Sequence, residues 1–214
     1  MTIVIAIDGP AGAGKSTVGR AVAAEVGVGY LDTGAMYRAV THAVLCRGID
    51  PHDTDEVGAV ASSIELDIDD IDGRTIVTVD GDDATAAIRG REVTGAVSAV
   101  AANSSVRSEM VRRQRDWVAA HGGGVVEGRD IGSVVFPDAA LKLFVTASAR
   151  VRAERRVAEL GGDVDEVEAS IIERDRKDSS RADSPLVEAS GAKVVDTTGM
   201  PIDAVVREIV EMLP

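Results

Sequence analysis

The stretch GPAGAGKST at residues 9–17 follows directly on the apolar run IVIAID at residues 3–8. It matches the pattern G-x-x-x-x-G-K-[ST], whose glycines let the backbone wrap until successive N–H groups point inward and bind phosphate. The apolar run has the length and the β-branched residues of a buried strand. Valines four residues apart behind the loop predict a helix that ends before Gly27. A strand, a phosphate loop and a helix in this order predict a nucleoside triphosphate site in an α/β fold.

Two side chains of this loop have predicted roles of their own. We expect Lys15 to reach the β- and γ-phosphates and the hydroxyl of Ser16 to bind Mg²⁺. A Gly-rich connector without a ligand is the other interpretation, and the surrounding strand and helix patterns disfavour it. The predicted phosphate-binding residues are Gly9, Pro10, Ala11, Gly12, Ala13, Gly14, Lys15, Ser16 and Thr17.

Strand and helix patterns alternate along much of the remaining chain. The strands are predicted at residues 3–8, 28–32, 124–127, 140–146 and 192–196. This alternation predicts an α/β fold with a five-stranded, doubly wound parallel sheet and helices on both faces, which places ligands at the carboxyl ends of the strands. The final helix is expected to bury the apolar side chains Ile202, Val205, Val206, Ile209, Val210 and Leu213.

The middle of the chain has a different pattern. DTDE at 53–56 predicts the capped start of a helix. The following residues 63–81 alternate apolar and polar side chains around Asp72-Gly73, which predicts a β-hairpin. An antiparallel hairpin within an α/β chain indicates an inserted small domain. We interpret the acidic residues between 65 and 83 as a solvated sheet face rather than a metal site.

Composition restricts the possible functions. The 23 basic and 36 acidic residues give a net charge of −13, which disfavours sequence-independent binding to nucleic acid. The apolar run at 3–8 has no basic lead and ends at Asp8, so neither a signal peptide nor a membrane span is expected. Cys46 is the single cysteine and is expected in the core; one cysteine excludes an internal disulfide and favours a cytoplasmic protein. We expect a monomer, because no assembly element is evident.

The positive charge is concentrated in arginine. Apart from four lysines, it consists of arginines, many of them grouped at 107–115, 150–156 and 174–181. The planar guanidinium binds phosphate in a bidentate manner, so these groups are compatible with a focused anion site. Solvated helix faces are the alternative, and composition alone leaves both open.

Other motifs narrow the class of triphosphate-binding protein. A GTPase usually contains an N-K-x-D element, whereas the single asparagine of this chain is Asn103 in NSSV. A remodelling ATPase usually has an apolar strand that ends in Asp-Glu, and no such strand is evident. A small-molecule kinase remains, because transfer between two anions requires positive charge around donor, acceptor and transition state.

Five further blocks carry a specific resemblance. They are LDTGAMYR at 31–38, SSVRSEMVRRQR at 104–115, EGRDIGSVVFPDA at 127–139, ERDRKDSSRADSPL at 173–186 and VVDTTG at 194–199. With the phosphate loop, they make the chain resemble the bacterial-type cytidylate kinases, which are P-loop nucleoside monophosphate kinases, over essentially its whole length. The resemblance implies ATP as phosphoryl donor, CMP or dCMP as acceptor, and Mg²⁺.

The resemblance also implies an acceptor site. Its residues are Thr33, Tyr37, Arg38, Ser98, Arg107, Arg129, Asp130, Arg174, Asp178 and Arg181. Among them, Arg38, Arg129 and Arg174 are expected to bind the acceptor phosphate. Asp178 and Arg181 are expected to contact the sugar. Asp130 is expected to accept a hydrogen bond from the cytosine amino group.

A lid, a metal site and a domain division follow from the same resemblance. The residues expected on the lid are Arg152, Arg155 and Arg156, and Arg155 is expected to contact ATP. The predicted catalytic residues are Lys15, Arg129, Arg152 and Arg156. Ser16 and Glu127 are the expected metal ligands. The predicted core covers 1–35, 106–149 and 175–214, the insert 36–105 and the lid 150–174. Two positions depart from the family pattern: Glu127 replaces Asp, and Thr33 replaces Ser.

Alternative interpretations stay open. The chain could phosphorylate a small metabolite such as a hydroxy acid, or bind ATP as a regulator without transfer. Arg129 and Asp130 could form a structural ion pair, and Tyr37 could be a core residue. An exposed helix face is the favoured interpretation of Arg112, Arg113 and Arg115. No chemistry is assigned to His42, His52 and His121.

Overall fold

A computed structural model describes residues 3–180 and 185–213, without the side chain of Leu160. The chain divides into two compact units, of which the first consists of Met1–Gly29 and Gly122–Pro214. Its strands are β1 (Ile3–Asp8), β6 (Gly123–Gly128), β7 (Leu141–Thr146) and β8 (Lys193–Asp196). Its helices are α1 (Lys15–Val26), α6 (Ala149–Leu160), α7 (Val164–Ser179) and α8 (Ile202–Glu211), with a π-helical turn at Ile131–Val135.

The second unit is Tyr30–His121. Its strands are β2 (Tyr30–Asp32), β3 (Leu66–Ile71), β4 (Arg74–Val79) and β5 (Asp82–Asp83). Its helices are α2 (Thr33–Cys46), α3 (Thr54–Ser63), α4 (Arg91–Val100) and α5 (Ser104–His121), and a 3₁₀ turn spans Ala87–Arg89.

The parallel sheet has five strands in the order β2-β6-β1-β7-β8. β1 pairs in parallel with β6 and with β7, so both of its edges are bonded. Ile5, Ala6 and Ile7 of this strand are fully buried, as expected for a strand between flanking helices. β3, β4 and β5 form a separate antiparallel sheet. The predicted fold class, a parallel sheet with flanking helices and a small antiparallel hairpin, is confirmed.

The hairpin shows how local sequence determines local structure. β3 and β4 pair with Ile71 opposite Arg74, which leaves Asp72 and Gly73 as a two-residue connection. Both have positive φ angles, 51° and 74°, as the turn of a tight hairpin requires. The sequence did not predict β5, because its two residues, which pair with Thr78 and Val79, are too few to show a periodic pattern.

Three predictions of burial are wrong. Cys46 is exposed at the last turn of α2, because Val40 and Val44 carry the buried stripe of that helix. Ile202 is exposed at the start of α8, which is buried instead through Val205 and Ile209. The periodic stripe was identified correctly in both helices, but a helix end extends past the surface that covers its middle.

Arg113 is the third case. It was assigned to an exposed helix face, but its side chain is 17% exposed. Its guanidinium donates to the carbonyl oxygens of Ala61 and Ile64, at 3.1 and 3.0 Å, where α3 ends. Arg112 follows the prediction: it is exposed and pairs with Glu109 and Asp116 on the same helix. Arg113 therefore satisfies carbonyl groups that the end of α3 leaves without helical partners.

The compact units do not coincide with the predicted division. The second unit begins at Tyr30 rather than at residue 36 and ends at His121 rather than at 105, because α5 packs against α3. The functional division into core, insert and lid stays a prediction. Among the residues that the structure describes, no helix is both long and apolar enough to cross a membrane.

Candidate active site

The phosphate loop lies between β1 and α1 in the first unit. Gly9, Gly12 and Gly14 have φ angles of 146°, 77° and 87°, conformations that L-residues rarely adopt. A Cβ atom on Gly9 would lie 1.9 Å from the carbonyl oxygen of Val145. The glycines predicted from the pattern are therefore required by the backbone itself, and Gly14 leads directly into the N-terminus of α1.

Lys15 and Ser16 begin α1 within this loop. Lys15 is 7% exposed, and its Nζ donates to the carbonyl oxygen of Pro10 at 2.8 Å. The hydroxyl of Ser16 donates to Oε1 of the buried Glu127 at 2.7 Å. The structure thus brings together the two predicted metal ligands, which are 111 residues apart in sequence. A hydroxyl and a carboxylate oxygen are suitable donors for Mg²⁺.

Two predicted arginines contact the carbonyl groups of the loop. Arg129 donates to the carbonyl oxygen of Gly9 at 2.8 Å and pairs with Asp178 at 3.0 Å. Its ion pair is therefore with Asp178 and not with Asp130, the partner that the alternative interpretation of the sequence predicts. The carboxylate of Asp178 is 2% exposed, so a buried negative charge positions this guanidinium beside the loop.

Arg152 is bound in the same manner. Its side chain donates to the carbonyl oxygens of Ala11 and Ala147, at 3.1 and 2.9 Å, and pairs with Asp175 at 2.7 Å. It is 5% exposed and packs against Gly12, where a Cβ atom would lie 3.3 Å from the Cβ of Arg152. This predicted lid residue is therefore a buried support of the phosphate loop in this structure.

Arg155 and Arg156 lie on the next turn of α6. Arg155 donates to Oγ1 and to the carbonyl oxygen of Thr197, at 3.2 and 2.8 Å. Thr197 in turn donates to the carbonyl oxygen of Ala13 at 2.9 Å, so the turn at 196–199 adjoins the loop. Arg156 is half-buried and makes no hydrogen bond or ion pair with any residue that the structure describes.

The segment after β6 carries Asp130. This residue is 4% exposed and immediately precedes the π-helical turn. The backbone N–H groups of Ile131 and Gly132 donate to the two carboxylate oxygens of Asp8, each at 2.7 Å. Asp8 is not among the predicted site residues, because the apolar pattern of residues 3–8 marks it only as the end of a strand. Its position directly before the loop was the available signal.

Burial raises the pKa of Asp8 to about 6. The two backbone hydrogen bonds and the positive charge of Lys15 oppose this rise in pKa, while the negative charge of Asp130 adds to it. Asp8 is therefore ionised at neutral pH, in a position where burial disfavours the charge.

The second unit brings five predicted acceptor residues onto three helices. Thr33 is the buried first residue of α2, after Asp32, whose side chain caps that helix. One turn later, Arg38 donates to the carbonyl oxygen of Ile88 and to Oγ1 of Thr94, at 3.0 and 2.9 Å. Ser98 lies on α4 four residues after Thr94 and therefore on the same face.

Tyr37 and Arg107 are in contact. The guanidinium carbon of Arg107 lies 5.6 Å from the centre of the Tyr37 ring, within the range of a cation–π interaction. Both side chains are buried, and Arg107 also donates to the carbonyl oxygen of Ala101 at 3.3 Å. Packing thus joins residues from α2 and α5 that lie 70 positions apart in sequence.

The remaining predicted acceptor residues lie in the first unit. Arg174 is half-buried on α7, four residues before Asp178 and on the same face of the helix. Arg181 lies outside the described residues. Asp175, which pairs with Arg152, was not assigned a role, although it belongs to the same sequence block.

The sheet, the loop and the flanking helices define a P-loop kinase fold. A gluconokinase of Sinorhizobium meliloti matches with a TM-score of 0.52 and 17% identity, over 98% of this chain and 90% of that chain. A shikimate kinase of Bacteroides thetaiotaomicron matches with a TM-score of 0.50 and 13% identity, over 98% and 97%. These likenesses show the fold alone.

The sequence comparisons show the family. The family model "Cytidylate kinase" matches residues 5–214, and the chain belongs to this family. The cytidylate kinase of Corynebacterium efficiens is 46% identical over 98% of this chain and 94% of its own length. That of Mycobacterium avium is 48% identical over 92% and 89%. Both of these relatives are described as cytidylate kinases.

A second group of relatives is longer. The bifunctional pantoate ligase/cytidylate kinase of Parasynechococcus marenigrum is 50% identical over 97% of this chain and 43% of its own length. A protein with the same description from a Synechococcus strain is 48% identical, over 98% and 44%. The chain therefore spans less than half the length of these bifunctional relatives.

Proposed function

We propose that this chain transfers the γ-phosphoryl group of ATP to CMP or dCMP and releases ADP and CDP or dCDP. The observation that carries the proposal is the arrangement of Arg129 and Arg152, each of which contacts a loop carbonyl and pairs with a carboxylate of α7. Transfer between two anions requires this concentration of fixed positive charge. The relatives support cytidylate as the acceptor.

The phosphate loop provides the donor site of this proposal. Its backbone N–H groups and the N-terminus of α1 bind the phosphates of ATP, and Lys15 neutralises charge on the transferred group. Ser16 and Glu127 would hold Mg²⁺. When bound, the ion supplies charge stabilisation at the phosphate oxygens. Arg155 and the turn at 196–199 close the side of the loop where the adenosine of ATP is proposed to bind.

The proposed acceptor site uses side chains. Arg38, Arg129 and Arg174 bind the phosphate of CMP, and Asp178 and Arg181 contact its sugar. The base is read by Asp130, which accepts from the amino group, while Ser98 and Arg107 donate to the acceptor edge. Thr33 and Tyr37 complete the set.

Catalysis in this proposal consists of positioning and charge stabilisation. The phosphate oxygen of CMP is already nucleophilic, so no general base and no covalent intermediate are needed. In its contacts with described residues, Arg129 uses Nε and Nη1, which leaves Nη2 for a phosphate oxygen. Arg156, which has no described polar partner, is the proposed lid residue that closes over the phosphates and excludes water.

An ADP-release assay with a panel of acceptors tests the proposal. We expect rapid ADP formation with CMP and dCMP, slower formation with UMP, and none above background with AMP or shikimate. A metabolite kinase would be inert with every nucleotide of the panel. A regulator that binds ATP would hydrolyse ATP at the same rate with and without CMP. Either result would contradict the proposal.

Four further properties belong to this proposal. We propose a monomer, which light scattering tests. The single cysteine supports a reducing compartment such as the cytoplasm. The net charge of −13 argues against nucleic-acid binding. Core, insert and lid are proposed at the predicted boundaries. Limited proteolysis with and without both substrates tests them, since a lid at 150–174 should become protected.

A further inference from the structure

Asp8 and Gly9 bind both ends of the short segment that carries Asp130. The carbonyl oxygen of Gly9 accepts from Arg129, immediately before Asp130. The two carboxylate oxygens of Asp8 accept from the backbone N–H groups of Ile131 and Gly132, immediately after it. Asp8 therefore binds the backbone of this segment at two points, and the carbonyl group of Gly9 binds the side chain of Arg129.

A structural role alone gives a poor account of a charged group at position 8. Asp8 is 2% exposed, and burial raises the pKa of its carboxyl to about 6, so at neutral pH it carries a charge that burial disfavours. The charged groups that act on it are Asp130, from the segment it binds, and Lys15, from the loop. An ionised carboxylate can accept from two N–H groups at once, whereas a neutral amide has a single acceptor oxygen.

We propose that Asp8 is a positioning residue for recognition of the acceptor base: by binding the N–H groups of Ile131 and Gly132, it holds the carboxylate of Asp130 in the orientation that reads cytosine. This inference rests on the proposed function. Asp8 touches neither substrate in this proposal and acts through Asp130.

The proposal predicts that loss of the Asp8 charge weakens the binding of CMP but not that of ATP. Without the charge of Asp8, the 129–132 segment loses one of its hydrogen bonds, and CMP binding weakens. Lys15 at the same time loses a neighbouring negative charge, so its attraction for the phosphates of ATP is retained or increased. A general loss of structure would weaken both substrates together.

The variant Asp8→Asn tests this difference. It keeps the size of the side chain, but its amide NH₂ faces an N–H donor. We expect KM for CMP to rise about tenfold or more, and the ratio of kcat/KM for CMP to that for UMP to fall. The Kd for ATP, measured by calorimetry, should stay unchanged or decrease. Asp53→Asn is the matched control, because Asp53 also accepts from two backbone N–H groups, those of Asp55 and Glu56, at 3.1 and 3.0 Å. Asp53→Asn should change neither KM for CMP nor Kd for ATP.

Two results overturn the inference. In the first, Asp8→Asn weakens the binding of CMP and of ATP by the same factor; in the second, it changes neither KM for CMP nor Kd for ATP. If the native enzyme itself fails to phosphorylate CMP in this assay, the proposed function fails instead. Should Asp8→Asn not fold, the native enzyme still provides a test. The ratio of its kcat/KM for CMP to that for UMP should fall as the pH decreases through about 6. Titration of the substrate phosphate affects both substrates and cancels in this ratio. A constant ratio contradicts the role of Asp8.

Discussion

The phosphate loop of the first unit and the acceptor cluster of the second unit are built in different ways. The loop consists of consecutive residues, and its shape depends on glycines whose φ angles are positive. The acceptor cluster, defined as Thr33, Tyr37, Arg38, Ser98 and Arg107, uses side chains from α2, α4 and α5. Main-chain donors form the first site, and packed side chains form the second.

This difference predicts how each site responds to substitution. A loop that binds through backbone N–H groups tolerates most changes of side chain, apart from its glycines, Lys15 and Ser16. A cluster of side chains depends on every neighbour that orients it, as Thr94 and Ile88 orient Arg38. In the proposed function, the loop therefore provides affinity for any triphosphate, and the cluster provides selectivity for the acceptor.

Removal of the Lys15 ammonium should have the largest effect. We expect Lys15→Ala to lower kcat by about a hundredfold or more, equivalent to about 3 kcal/mol of transition-state stabilisation. Lys142→Ala is the matched control, since Lys142 also donates to the carbonyl of a proline five residues before it, Pro137, at 3.1 Å. Steady-state kinetics on both variants decide the point, and near-normal turnover of Lys15→Ala would contradict the loop assignment.

The ionisation of Asp8 should be visible in stability. Because the pKa is raised from 3.8 to about 6, the folded protein binds more protons than the unfolded chain between these values. Stability is therefore lost as the pH rises through this window, by about 3 kcal/mol for this group. Urea unfolding of the native protein and of Asp8→Asn measures this loss. As the pH rises from 4 to 7, the unfolding free energy of the native protein should decrease relative to that of the variant. A constant difference would show that Asp8 does not titrate there.

The second unit is tested at Arg38. We expect Arg38→Ala to raise KM for CMP about tenfold to a hundredfold, because a charged hydrogen bond to phosphate is worth about 1.5–3 kcal/mol. The Kd for ATP should not change. Arg47→Ala is the control, since Arg47 is an exposed arginine of the same unit that pairs with Asp80. If Arg38→Ala weakened ATP as much as CMP, the division between a donor loop and an acceptor cluster would be wrong.

The proposed function assigns base selectivity to Asp130. In that proposal, its carboxylate accepts from the cytosine amino group but faces a second acceptor in uracil, whereas an amide can turn either atom to the base. Asp130→Asn should lower the ratio of kcat/KM for CMP to that for UMP by about tenfold or more, without changing ATP binding. Asp138→Asn is the control, because Asp138 is exposed eight residues further along the chain. An unchanged ratio would place base recognition elsewhere.

The smallest effect is expected on α6. Arg156→Ala should lower kcat by about threefold to tenfold without changing the Kd for ATP, because the lid acts after ATP has bound. Arg152→Ala should change both constants, since Arg152 supports the loop at Ala11. Measurement of both constants for both variants separates the roles. Unchanged turnover of Arg156→Ala would make this position a charged surface.

Local patterns account for most of the fold that could be predicted. The run at 3–8 became β1, the valines before Gly27 became α1, and the alternation around Asp72-Gly73 became the hairpin. Each depends on neighbours within a few positions, where periodicity and turn residues act. The burial of Cys46 and Ile202 was predicted wrongly because a helical stripe does not show where the covering surface stops.

Site contacts were harder to predict because they join distant positions. Ser16 meets Glu127 across 111 residues, and Arg152 meets Ala11 across 141. The family resemblance predicts which residues form the site, but not that Arg152 is buried against the loop or that Arg113 binds the end of α3. The role of Asp8 depends on two backbone N–H groups of a segment more than 120 residues away.

Local sequence is sufficient to predict the phosphate loop, the alternation of strands and helices, and the antiparallel hairpin, because glycine geometry and apolar periodicity act over short distances. The tertiary fold sets which carboxylate each arginine pairs with, the burial of Lys15, the contact of Ser16 with Glu127, and the hydrogen bonds to the interior carboxylate of Asp8. These properties depend on packing between strands and helices far apart in the chain, since burial and electrostatic partners exist only after that packing has formed.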